Sequence, residues 1–370
     1  MIQEDYFIWK QKYENSDHNS AIGYLRSMQR LYSEPLFESS KFNRIFSQAR
    51  QKQMPDKINL KTSDFFIDET PHVYQTYYLQ KIIYDPIIQS VSDDIKDIIQ
   101  NIPIGVLPTR SVNACVMLTP GGPIIIMDSG LLNMISFFTE SNLISGLYEM
   151  QNGKQYIDSQ NQFIIDYYNK KGMLNFPLPQ DKYKLTYENS FALLLQNVCC
   201  EAYIICHEIA HIVLGHLVKD KTLKLSMSSD ELHNLKNINE PKIYTYSQVQ
   251  EFEADYEGYK IFNKIFFKLP PFRNFKKFVN THKEIIQTFK TECFYIFHLM
   301  HLIELNCEKY RDITTHPPAK ERLKSLCSRL SCEHNTSSLS DEQLLQDLFF
   351  EHNKILDDMP IYDINNTRKN

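Results

Sequence analysis

Glycine and proline are scarce, 10 and 16 among 370 residues. A loop-rich or many-turned β protein uses more of both, so the shortage points to helices. Positive charge is not in excess either. With 40 Lys+Arg against 45 Asp+Glu the net charge is −5, which excludes a general electrostatic pull onto nucleic acid or anionic lipid. The eight cysteines form no C-x-x-C pair, and several sit in apolar segments such as Val198-Cys199-Cys200 and Ile205-Cys206. Reduced, buried thiols used as small hydrophobes are expected, rather than a disulfide scaffold or a thiolate metal site. The opening residues, MIQEDYFIWKQKYENSD, have no basic stretch followed by an apolar run, so no secretory leader is expected. The most apolar stretch, Phe191 to Val218, is interrupted by Gln196, Asn197, Glu201, His207, Glu208, His211 and His216. A bilayer tolerates that poorly, and the expectation is a core helix of a soluble, cytoplasmic protein without a membrane span. What is present is ordinary globular material, 42% hydrophobic and 23% charged, enough for a sizeable core and too apolar for disorder over most of the length.

At about 150 residues per domain the length allows two domains or one large one. Residues 1–75 are polar and helix-compatible, 76–335 carry the motifs, and 336–370 read as a C-terminal helix with a polar tail. Apolar residues at helical spacing flank Pro86, which predicts two helical pieces over 76–101. The texture then changes to short β-type runs at 105–107, 112–118 and 124–127, separated by Pro108-Thr109-Arg110 and Thr119-Pro120-Gly121-Gly122. Residues 149–187 read as an irregular insertion and 219–246 as a charged connector. Further helices are predicted from Glu188 to Val218, from Ser247 (capping-box spacing with Gln250) to Phe267, over 279–309, from Ala319 to Arg329 and from Ser340 to Leu356. The fold class is α+β, mainly helical, with one small sheet.

The chemistry concentrates in His207-Glu208-Ile209-Ala210-His211. On a helix the two histidines differ by about 40° in direction and stand one turn apart, so both imidazoles leave the same face. That suits two ligands of a tetrahedral zinc, and Glu208, about 60° from His211, can sit beside the ion without binding it and take a proton from water. Two satisfied core histidines would show the same spacing, so a third ligand is needed to decide. Glu251-Phe252-Glu253-Ala254-Asp255 offers one. Glu251 and Asp255 share a helix face, while Glu253 points roughly 200° away from Glu251. Ala254 and Gly258, and Gly215 on the first helix, are small enough to let the two helices approach closely.

HEIAHIVLGH followed by EFEADYEG resembles the zinc metallopeptidases of the type-I CAAX prenyl endopeptidase and HtpX kind, a branch of the gluzincins. Two further stretches are similar to that family: Val112-Asn113-Ala114-Cys115 through Gly121-Gly122-Pro123 to Gly130-Leu131-Leu132, and Thr315-His316-Pro317-Pro318 through Arg322-Leu323. The resemblance spans roughly residues 76–330. It implies a zincin-type domain whose small sheet edges the cleft, with the strand at Ile124–Met127 as that edge. It also implies His207, His211 and Glu251 as ligands of one catalytic zinc, Glu208 as base, and Asp255 as outer partner of a ligand histidine. His316 and Arg322 would belong to the element closing the cleft, His316 as a stabiliser of the oxyanion. The expected activity is hydrolysis of peptide bonds in a protein or peptide substrate. A regulatory protease with one target, in a stress or phage response, and a catalytically silent polypeptide-binding module are the alternatives.

His216 is expected to be structural, since on a continuous helix it faces about 180° away from His207. His298 and His301 are expected as core or surface histidines rather than a second metal site. The basic, aromatic run Lys264–Lys277 reads as a partner-facing loop, given the proline pair inside it and the acidic balance of the whole chain.

Overall fold

Three short strands and the helices around them build a main hydrophobic core and a second, smaller cluster in this computed structural model. It describes residues 2–17, 19–33, 71–109, 111–119, 121–147, 158, 160–167, 187–217, 246–273, 283–307, 316–333 and, near the C-terminus, 347, 348, 350–352, 354 and 357. Most of the 149–187 stretch, the 219–246 connector and much of the last helix fall outside these. Two helices come first, α1 (Ile2–Glu14) and α2 (Ala21–Ser33), with Ser20 Oγ accepting the Gly23 N–H at 3.1 Å to cap α2. Next is α3 (Pro71–Tyr78), which runs without a break through a π-helical stretch, Leu79–Tyr84, into a short α turn, Asp85–Ile88. Pro86 therefore does not divide the segment as its position predicted. The wider π turn supplies the change of register, the Asp85 N–H reaching back to the Gln80 carbonyl, and the proline sits in the first turn that follows, where its missing N–H costs nothing. α4 (Asp93–Ile99) leads into the sheet.

The strands are β1 (Ile104–Leu107), β2 (Ala114–Thr119) and β3 (Gly122–Asp128), in the order β1-β3-β2. β3 is parallel to β1 and antiparallel to β2, with Val116 opposite Ile125. Side chains alternate as a pleated sheet requires. Ile104, Val106, Ile125 and Met127 enter the main core, whereas Leu107, Ile124 and Ile126 meet Leu25 and Tyr13 of the N-terminal helices. Both faces are covered, which is why β3 reads as an unbroken apolar run rather than an alternating one. Gln29 ties α2 to this layer, donating to Val106 O at 2.8 Å and Thr76 Oγ1 at 3.1 Å.

After β3 come α5 (Ser129–Leu147), α6 (Tyr187–Val213), α7 (Tyr246–Ile265), α8 (Lys283–Thr291), α9 (Tyr295–Asn306) and α10 (Ala319–Glu333). α6 runs through the core. Its Asn189–Val213 portion is long and apolar enough to cross a membrane, but 78% of its most apolar window is buried against other elements of the chain, as in a core helix. Cys115, Cys199, Cys200, Cys206, Cys293, Cys307 and Cys327 are free thiols, all buried except the half-buried Cys115, in keeping with their apolar neighbours.

α6 ends at Val213, five residues before the predicted Val218. Gly215 takes φ +72°, its N–H bonding Ile212 O at 3.1 Å while the His216 N–H bonds His211 O at 2.9 Å. This is a Schellman helix end, which needs a residue that tolerates the left-handed region. Gly215 is thus a helix terminator and not the helix-contact residue its spacing suggested; nothing lies within 4 Å of the position its Cβ would take. Gly258 does serve as a contact residue. A Cβ there would stand 2.8 Å from His207 Cα and 2.9 Å from His207 N, so α7 rests directly on the backbone of α6 at the first histidine. Gly258→Ala gains about 1 kcal/mol in helix propensity but forces backbone apart at a cost of about 1–3 kcal/mol. A net loss of thermal stability is expected, larger for Val, and an Ala variant that melts above the wild type would contradict this packing.

Candidate metal centre

Because α6 and α7 touch where Gly258 meets His207, His207 and His211 can converge with Glu251, which lies about two turns before Gly258. His207 Nε2 and His211 Nε2 lie 3.1 Å apart. Glu251 on α7 completes the group, Oε2 at 3.5 Å from His207 Nε2 and Oε1 at 3.5 Å from His211 Nε2. One donor atom from each residue lies within 4.8 Å of the others, and among the described residues this is the one such group of three. Two imidazole nitrogens and a carboxylate this close could hold a metal ion.

The surroundings orient these donors. Asp255 Oδ1 lies 3.0 Å from His207 Nδ1, off the ideal hydrogen-bond line, and accepts the Tyr203 hydroxyl at 3.1 Å. Arg322 of α10 donates to both oxygens of Asp255, each at 2.7 Å, and its third nitrogen is 3.2 Å from Glu251 Oε2. His316 Nε2 stands 3.5 Å from Glu251 Oε1 at the mouth of the site, its side chain 53% exposed. The structure therefore places Glu251 at the inner nitrogens and Asp255 at an outer one. His207, His211, Glu251, Asp255, Arg322 and His316 thus sit around one point.

Charge in the group is strongly coupled. Burial opposes ionisation of Glu251 and Asp255, but Arg322 beside both outweighs it, helped by His207, and holds both carboxyls below the ordinary range. Burial likewise opposes a charge on His207, yet the adjacent Asp255 and Glu251 raise its pKa. His211 is driven down to about 3 by burial and by the neighbouring His207 charge. Glu208 is 7% exposed and its pKa is lifted to about 7, first by burial and then by the charge of Glu251. The Val116 N–H bonds its carboxyl.

No protein-family model, curated protein or solved structure matches the chain. The functional reading stands on the residues of the site.

His207, Glu208, His211, Glu251, His316 and Arg322 line a cavity of about 800 Å³, together with β2 residues and Ile296, Met300 and Ile303 of α9. The strand at the cleft is β2, not β3. β3 has a partner on each side, so Ile124–Met127 cannot take another strand, contrary to the expectation set by the resemblance. Asn113 O accepts the Asp128 N–H at 2.9 Å, which fixes the phase of the ladder: the backbone groups of Ala114 and Val116 face outward along the edge that carries no further strand among the described residues, the Val116 N–H toward Glu208. One residue meets the centre that spacing did not bring to it, and a second stands behind it. His216 Nδ1 is 2.9 Å from His211 Nδ1, and Glu253 Oε2 is 3.2 Å from His216 Nε2. Ideal helical angles put both on the wrong sides. The one signal for the first was Gly215, a glycine where an α-helix could stop.

His298 and His301 are core histidines, as expected. His298 Nε2 pairs with His352 Nδ1 at 3.3 Å, and burial lowers the His298 pKa; His301 Nδ1 is 3.6 Å from Glu304.

Proposed function

We propose that the chain is a zinc-dependent endopeptidase of the gluzincin type, with a zincin-like arrangement of β2, α6 and α7 around the cleft. One observation carries the reading: Glu208 shares the cavity wall with the His207–His211–Glu251 donor set but is not part of it. A site that only bound a metal for stability would have no use for a buried carboxylate in that position. Bound zinc would act as the Lewis acid that polarises the scissile carbonyl and acidifies water. His207, His211 and Glu251 hold the ion; Asp255 and Arg322 hold the ligands. Glu208 accepts the proton of the attacking water and returns it to the leaving nitrogen. His316, half exposed and aimed at the same spot, donates to the developing oxyanion. The substrate is a polypeptide in extended form, added to the free edge of β2 by backbone hydrogen bonds through Ala114 and beyond.

The test is metal analysis of the purified protein followed by mass-spectrometric mapping of new termini in a denatured protein mixture. Cleavage that stops on removal of the metal by a chelator and returns with added zinc is expected; a zinc-loaded protein generating no new termini would rule out the hydrolase. Ala114→Pro tests the edge. It deletes an outward N–H without touching the β2–β3 ladder, so peptide cleavage should fall while zinc content stays at the wild-type level. Unaltered cleavage in the folded variant would place the substrate elsewhere. At Ile125, in the middle of the sheet, the same substitution would only break the fold.

A further inference from the structure

His216 touches the His211 ring and Glu253 touches His216, and the reaction above uses neither. Their geometry dictates where protons lie. An ionised carboxylate only accepts, so at 3.2 Å from Glu253 Oε2 the His216 Nε2 carries the hydrogen and donates it. When a metal occupies His211 Nε2, the one hydrogen of that ring is on Nδ1, so the His216 Nδ1 that faces it is bare. That nitrogen accepts from His211 Nδ1–H across 2.9 Å. His211 Nε2, which carries no hydrogen, is the nitrogen that faces Glu251 and His207.

The fold builds this contact by local means. The helix end at Gly215, with the His216 N–H returned to His211 O at 2.9 Å, turns residue 216 back over the last turn of α6. Its imidazole comes to rest against the His211 ring, edge to face with centroids 5.1 Å apart. The side chain is 7% exposed there, whereas Glu253, on a different side of α7 from Glu251, remains 38% exposed.

We propose that His216 and Glu253 are positioning residues which lock His211 in the Nδ1–H tautomer and present its Nε2 to the metal, as Asp255 does for His207. This rests on the metal-centre reading above. An outer partner of a ligand histidine typically affects metal affinity by about 10- to 100-fold. Burial of His216 and a complete donor-to-acceptor chain place it in that class. A bare helix-capping role would need only the backbone bonds of residues 215 and 216.

The experiment compares wild type, His216→Leu, His216→Gln and Glu253→Leu by two measurements. The first is ¹⁵N NMR of labelled histidines in the metal-free protein, which reports the His211 tautomer directly. The second is zinc affinity by competition with a chromophoric chelator. His211 is expected as Nδ1–H in wild type and as a tautomer mixture in His216→Leu, with zinc binding weakened about 10- to 100-fold. His216→Gln, whose amide can both accept from His211 and donate to Glu253, should recover most of the loss. Glu253→Leu lies at a partly exposed position where folding is not at risk, and it should weaken zinc by less than His216→Leu. Wild-type zinc affinity and an unchanged His211 tautomer in both Leu variants would overturn the proposal and leave the metal centre standing. A wild-type protein that binds no zinc would instead overturn the metal centre, and this role with it.

Discussion

Glu208→Gln is expected to keep its zinc and lose turnover. The donor group consists of His207, His211 and Glu251, so replacing Glu208 removes no ligand. Glutamine has the same shape and retains an oxygen for the Val116 N–H, so the β2 edge and the cavity wall stay in place. What disappears is the ability to accept a proton from water, and general-base removal typically costs about 10²–10⁴-fold in rate. The loss should appear in kcat with little change in KM, because the residue acts on the reacting atoms and not on substrate binding. Burial lifts the Glu208 pKa to about 7; the stability linked to its neutral form is lost as pH rises through that value. The amide stays neutral, so the variant should melt no lower than wild type at pH 8. Zinc content, melting temperature and steady-state kinetics on a peptide cut by the wild type check all three. A Gln variant that turns over at the wild-type rate would remove Glu208 from the chemistry. Equal inactivity of both proteins with zinc bound would favour polypeptide capture without cleavage.

Arg322→Ala should be the most destabilising single change at the site. The guanidinium is buried, bidentate to Asp255 and within 3.2 Å of Glu251, and it packs over the Phe297 ring at 5.7 Å. Truncation strands two buried carboxylates with one fewer cation between them. Removing one partner of a buried ion pair costs about 3–5 kcal/mol, much of it the penalty of the charge left behind. Against a typical total of about 5–15 kcal/mol that is a large fraction of the stability. Arg322→Lys restores the charge but not the fork that spans both Asp255 oxygens, and should fall in between. Thermal melts with and without zinc separate the contributions. A bound cation would supply part of the missing positive charge, so zinc should raise the melting temperature of the Ala variant more than that of wild type. A variant that melts within about 1 kcal/mol of wild type would show that Arg322 is not the counter-ion holding these carboxylates, since unpaired buried charges cost more than that.

The mainly helical α+β class and the members of the donor group were legible in the linear chain, and for one reason. An α-helix repeats every 3.6 residues, so His207, His211, Glu251 and Asp255 had their directions assigned by arithmetic on positions four apart. The shortage of glycine and proline, and the clustering of β-type runs between residues 104 and 128, similarly marked a helical protein with one small sheet. Whatever depended on how distant segments meet was not readable that way. Strand order is a choice among pairings that share the same local preferences. β3 is central because both its faces find helices and both its edges find strands, and that moved the cleft edge to β2. Arg322 stands 67 residues beyond Asp255, and only the packing of α10 against α7 makes them a pair. His216 and Glu253 were each placed facing away by ideal helical angles. The left-handed turn at Gly215 broke that periodicity and brought them together, because a single φ reversal redirects everything after it.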